Sequence, residues 1–172
     1  MADTDRKEKF IQSINDGYTF KGETITLGAA ILDKEVLTGT HIKLPLKTMN
    51  RHGLIAGATG TGKTKTLQLI TESLAAKSVP VVVMDIKGDL SGVAKPGTAN
   101  PKVDERMQHI GLQWNPEGNT IEFLTISAEK GTRLRATTSE FGPVLFSRML
   151  ELNETQSSLV SVIFKYSDDK QL

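Results

Sequence analysis

The sequence predicts an α/β fold, a parallel sheet covered by helices, with a small β-rich lead-in over residues 1–50. Three observations predict it. A glycine-rich loop, "GATGTGKT" (57–64), separates a short apolar run from a stretch of helical periodicity. A second apolar run, "VPVVVMD" (79–85), follows that helix and completes the strand, helix, strand succession of a parallel unit. Alternation of apolar and polar residues marks strands earlier, at Ile25 and Leu27 and again at Ile42, Leu44 and Leu46.

Taken in order, residues 3–15 predict a short polar helix with Phe10, Ile11 and Ile14 on one side. "HGLIA" (52–56) predicts a strand that ends at Gly57. "KTKTLQLITESLAAK" (63–77) carries Leu67, Ile70, Leu74 and Ala75 at helical spacing. The β-branched run 79–85 is of the kind buried on both faces of a parallel sheet. Glycine, proline and small polar residues make "KGDLSGVAKPGTANP" (87–101) a long surface loop. A short helix is expected over Asp104–Leu112, then strands at "IEFLTI" (121–126) and "TRLRATT" (132–138). Pro143 opens a helix running to about Leu152. Asn153 and Gln156 form a capping box for a last helix, whose apolar stripe is Leu159, Val160, Ile163 and Phe164. The division expected is a lead-in over 1–50 and a core over 51–172. Because "SDDKQL" closes the chain directly after a helix, the expectation is an incomplete core, the N-terminal portion of a longer protein.

Composition narrows the function classes. With 172 residues, 38% of them hydrophobic, the chain can bury one good core. Its 21 basic and 20 acidic side chains leave a net charge of +1, which excludes a strongly basic nucleic-acid module; any grip on DNA is local. The absence of cysteine excludes a disulfide framework and a thiolate zinc site, and fits a reducing, cytoplasmic setting. "MADTDRKEKF" lacks the apolar core of a signal peptide, and no run approaches the ~18 apolar residues of a membrane span. A soluble protein with no membrane partner is expected.

The chemistry concentrates in the loop. "GATGTGKT" fits the pattern of a glycine, four residues, then glycine, lysine and serine or threonine, which cradles phosphates. Backbone amides across Gly57, Ala58, Thr59, Gly60, Thr61 and Gly62 would converge on a phosphate, and the start of the next helix adds positive potential. Lys63 would reach the β- and γ-phosphates, Thr64 would ligate Mg²⁺, and Lys65 completes the binding stretch. ATP and Mg²⁺ are the cofactors implied. Asp85, at the carboxyl end of the second apolar run, is a further catalytic and metal candidate, able to hold Mg²⁺ directly or through water, or to cap the turn into "IKGDL". Lys87 and Asp89 are weaker candidates. Hydrolysis also needs a base, commonly a glutamate after a strand-end aspartate, and no apolar run here ends in Asp-Glu. Arg133, Arg135 and Arg148 are candidates for phosphate contact or an arginine finger, against a solvated surface role. His52 reads as a strand residue and Trp114 as a buried anchor or a base-stacking platform.

Three stretches together, "RHGLIAGATGTGKT" joined to "DIKGDLSG" and, further on, "FGPVLFSRMLELNETQ", resemble the N-terminal part of the bacterial HerA-like helicase family, relatives of the FtsK and HerA DNA-pumping ATPases. The resemblance covers nearly the whole chain. It implies a P-loop NTPase (RecA-like) core, usually a ring of six, that couples ATP hydrolysis to movement on DNA. DNA and self-association as partners, and the ATPase and helicase or translocase activity, rest on this resemblance. The glutamate of the family's second acidic motif comes later than residue 172, so this stretch lacks it. A nucleotide-binding switch or assembly module without turnover is the alternative. A small-molecule kinase is disfavoured by the want of an arginine-rich lid, and a GTPase by the want of an Asn-Lys-x-Asp motif.

Overall fold

Sixteen residues with an apolar stripe begin the chain as helix α1 (Ala2–Gly17). The structure, a computed structural model, describes residues 2–172, with side chains from Thr4 onward. The chain is α/β: five helices and two small sheets, one antiparallel and one parallel, are formed among the described residues. They fall into two compact units, one ending at Thr120 and one spanning Ile121–Leu172.

The first unit is built on a hairpin. Strands β1 (Thr24–Leu32) and β2 (Glu35–Pro45) pair antiparallel, from Thr24 opposite Pro45 to Leu32 opposite Glu35. Asp33 and Lys34 both take positive φ, 47° and 70°, the two-residue turn whose twist matches that of the strands. The ladder slips between Thr26 and Gly28 and between Ala29 and Ile31. The buried Thr40 hydroxyl mends the second slip, accepting from Ala30 N at 3.2 Å and donating to the Leu37 carbonyl at 2.6 Å. β2 stops at Pro45, and Leu46, expected in the strand, opens a 3-10 turn over Leu46–Thr48.

Helices cover the hairpin. Phe10, Ile11 and Ile14 are half-buried where α1 meets β2, as the periodicity predicts. Exposed ion pairs from Arg6 to Asp33 (3.2 Å) and Lys7 to Glu35 (2.8 Å) add little in water. Helix α2 (Lys63–Ala75) packs on β1 and buries Leu74, which with Ile25, Ala30, Leu37, Leu90 and Val93 makes up the core of this unit. Helix α3 (Pro101–Ile110) packs on β2, where Thr38 Oγ1 donates to the His109 carbonyl at 2.8 Å. It begins three residues before the expected Asp104, because Asn100 accepts from Lys102 N and Pro101 suits the first turn.

Two expected strands are corrected. Residues 52–56 and 79–85 carry no ladder: Leu54 is 89% exposed, and in the run expected to be buried on both faces Val82 is 85% and Met84 90% exposed, with Val79 and Val83 half-buried. A β-branched run expresses a preference for sheet interior, but a strand exists only through a hydrogen-bonded neighbour, and each segment was the neighbour expected for the other. The parallel sheet of the sequence reading is therefore not formed by these two segments.

In the second unit the strands at 121–126 and 132–138 shrink to β3 (Leu124–Thr125) and β4 (Thr132–Arg133), which do pair in parallel. The second stops at Arg133, and Thr137, expected within the strand, instead starts helix α4 (Thr138–Met149) with a capping box, its hydroxyl accepting from Glu140 N. Gly142 breaks α4 at φ 63°, ψ 170°, and Pro143 opens its second part as expected. The Asn153–Gln156 box is formed, with both hydrogen bonds at 3.0 Å, and starts helix α5 (Glu154–Lys170). α4 and α5 pack through Phe146 and Phe164, with ring centroids 5.7 Å apart. Val160 and Phe164 of the predicted stripe are half-buried, whereas Leu159 and Ile163 are exposed.

Candidate functional site

The glycine loop runs into α2 at the residue the sequence marks. Gly62 caps the helix at φ 94°, ψ 18°, a left-handed conformation that an L side chain resists. With no side chain at the cap, the amides of Lys63, Thr64 and Lys65 meet no acceptor among the described residues, and the first helical bond is that of Thr66 N to the Gly62 carbonyl at 2.9 Å. Gly60 also has positive φ, 82°. No atom lies within 4 Å of where a Cβ would stand at Gly60 or Gly62, so the space over the loop is open.

Inside the loop the Ala58 carbonyl is the hub. Lys63 Nζ donates to it at 2.7 Å and Thr61 Oγ1 at 2.8 Å, so the lysine folds back across the loop. Gly57 lies beneath that contact: a Cβ there would stand 2.5 Å from Thr61 Oγ1. Thr59 is exposed, and Thr64 is half-buried at the helix start. These groups fit a polyphosphate with its cation: unpaired amides at a helix start, one ammonium, one hydroxyl and open volume beside them.

Asp85 takes the capping role. Its Oδ1 accepts from Gly88 N at 2.8 Å and its Oδ2 from Leu90 N at 2.9 Å. Desolvation is the largest single influence on this carboxyl and pushes it up, but amides of Leu90, Gly88, Asp89 and Lys87 together outweigh it and hold the group below its usual range. The carboxylate thus closes the turn that follows the second apolar run.

A residue overlooked in the sequence connects the two features. Gln68, buried on α2, donates from Nε2 to the Asp89 carbonyl at 2.9 Å and accepts at Oε1 from Lys65 Nζ at 2.9 Å. A lone amide between Leu67 and Leu69, one turn after Thr64, was the signal. Further along the helix, burial raises the Glu72 carboxyl while nearby Lys65 pulls it back. Beyond the turn, the Asn119 side chain donates to the Val93 carbonyl at 2.8 Å.

His52 is exposed in the unpaired 52–56 segment. Trp114 is half-buried, and its ring packs so closely on Gly97 that a Cβ there would come within 2.7 Å of Cζ2, the anchor role. Arg133, Arg135 and Arg148 are exposed residues of the second unit. Arg148 borders a cavity of about 280 Å³ between α4 and α5, with Ser147, Ser157, Ser158 and Ser161. No group of three His, Cys, Asp or Glu residues able to hold a metal ion occurs among the described residues, and no helix is long and apolar enough to cross a membrane.

The family described as Helicase HerA-like C-terminal matches residues 31–172, a span that contains the glycine loop, the Asp85 turn and both helices of the second unit. No curated protein and no solved structure matches the chain. A match over most of the length, carrying the loop whose backbone and lysine are described above, places the chain in the HerA-like helicase family.

Proposed function

We propose that the chain is the nucleotide-binding part of an ATP-hydrolysing motor of the HerA-like helicase or DNA translocase type, with a P-loop, RecA-like core. The observation that carries the reading is the start of α2, where a left-handed glycine leaves the amides of Lys63, Thr64 and Lys65 without acceptors, inside a stretch that the family match covers. Amides from Gly57 through Lys65 would hold the triphosphate. Lys63 would exchange the Ala58 carbonyl for a β- or γ-phosphate oxygen, and Thr64 Oγ1 would hold Mg²⁺, with Asp85 reaching it through water. Mg²⁺, when bound, neutralises charge on the phosphoryl group being transferred. What these residues do is position and electrostatically stabilise that group. DNA as track and a ring of copies follow from the family reading, and the absence of cysteine favours a cytoplasmic setting.

The test is a titration of the folded chain with labelled ATP and Mg²⁺. Lys63→Ala removes a charge-assisted hydrogen bond of about 1.5–3 kcal/mol, so affinity is expected to fall by roughly ten- to 150-fold. Absence of saturable binding, or equal binding by the variant, refutes the assignment. Phosphate release in the same mixture separates a motor from a nucleotide-binding switch without turnover.

A further inference from the structure

Gln68 and Thr64 share one face of α2, a single helical turn apart. Both ends of the Gln68 amide are engaged, Oε1 by Lys65 Nζ and Nε2 by the Asp89 carbonyl, each at 2.9 Å. The orientation is unique, because an ammonium only donates and a backbone carbonyl only accepts. Asp89 lies within the turn that Asp85 closes through Gly88 N and Leu90 N. Leu90 and Val93, both buried, hold the far end of that turn in the core. Residues 86–89 are exposed, and Asp85 bonds only within its own turn, so the Gln68 amide is the polar tie of this segment to α2 among the described residues.

We infer that Gln68 is a positioning residue: it holds the Asp85 turn against the face of α2 that carries Thr64, and thereby sets how tightly Mg²⁺ binds with a nucleotide. The inference rests on the phosphate-site reading proposed above. A ligand's orienting partner acts on the metal without touching it, by fixing where the ligating group points before the ion arrives. Lys65, next to Thr64, fixes the Gln68 amide in turn. The tie therefore runs from the residue after the loop's Lys-Thr pair to the acidic turn.

Gln68→Glu separates this role from packing. Glutamate keeps the length of the side chain and an acceptor for Lys65, but it cannot donate to the Asp89 carbonyl and sets a negative charge against it. In the full 172-residue chain, two measurements follow. One is hydrogen exchange of the Gly88 and Leu90 amides without nucleotide; the other is the Mg²⁺ midpoint for binding of a fluorescent ATP analogue, with binding in EDTA as reference. Faster exchange and an Mg²⁺ midpoint raised about tenfold are expected, with binding in EDTA unchanged. Unaltered exchange overturns the inference, and so does faster exchange with an unmoved Mg²⁺ midpoint. Gln68→Met, which removes both hydrogen bonds without adding charge, is read the same way should the glutamate variant fail to fold. Wild-type chain that binds no nucleotide refutes the phosphate-site reading and this inference with it, whereas wild type that binds and variants that match it refute the inference alone.

Discussion

Gly62→Ala has an effect that can be worked out before it is measured. The residue sits at φ 94°, ψ 18°, with nothing within 4 Å of the added methyl, so no clash arises and the whole cost is backbone conformation. A left-handed alanine costs about 1–2 kcal/mol. That cost has two places to appear. If the loop keeps its shape, the folded state is strained and the melting temperature falls by roughly 2–8 °C, at about 2–4 °C per kcal/mol for a chain of this size. If the loop relaxes instead, melting is spared, but the amides of Lys63 to Lys65 must be brought back for the phosphates and ATP affinity falls by about five- to thirtyfold. Circular dichroism melting and titration with labelled ATP, run on the same preparation, measure both. Gly62→Asn, which tolerates positive φ better, should lose less in each. A Gly62→Ala chain that loses neither stability nor affinity, or does no worse than the asparagine variant, refutes the argument that the cap conformation builds the site.

Two further outcomes are expected. Gly97→Ala drives a methyl to within 2.7 Å of Trp114 Cζ2, so it should cost about 1–3 kcal/mol as overpacking. Because the chain has one tryptophan, the emission spectrum reports the same event, and an unmoved spectrum with unchanged melting shows that the contact is not tight. The pH dependence of the Asp85 turn follows from its depressed carboxyl. A group that ionises more readily in the folded chain stabilises it above the ordinary value of 3.8, and that contribution is lost as pH falls below it. The amide signals of Gly88 and Leu90 should therefore titrate with a midpoint under 3.8; a midpoint at or above it contradicts the hydrogen-bonded geometry.

Local chemistry was legible and pairing was not. The start of α2 at Lys63, the capping box at Asn153 and the hydrophobic side of α1 follow from residues a few positions apart, whose mutual geometry a helix fixes by itself. The loop at 57–64 was legible for the same reason, since its glycines and Lys-Thr pair speak to one short stretch of backbone. Strands at 52–56 and 79–85 depended on each other across a helix, and apolar composition says where a segment prefers to be, not which segment it will meet. Thr137 illustrates the same competition: a threonine at the end of an alternating run predicts a β-former, while the glutamate three residues on makes it a cap. Of the two roles open to Asp85, the capping of its own turn needed only the following amides, and it is the one the structure displays. Gln68 is not legible in the sequence, because a polar residue within an apolar stripe looks like an interruption until the carbonyl it serves is known.

The break in α4 carries a consequence for the order in which the second unit comes apart. Gly142 and the following proline, which has no N–H to donate, interrupt the ladder, so Thr138–Phe141 is a single turn without axial support from Pro143–Met149. One turn is too short to persist as helix on its own, and the Thr137–Glu140 box is what holds it. Opening should begin there, releasing a short segment while the Phe146–Phe164 contact still clasps the remainder of the helix pair.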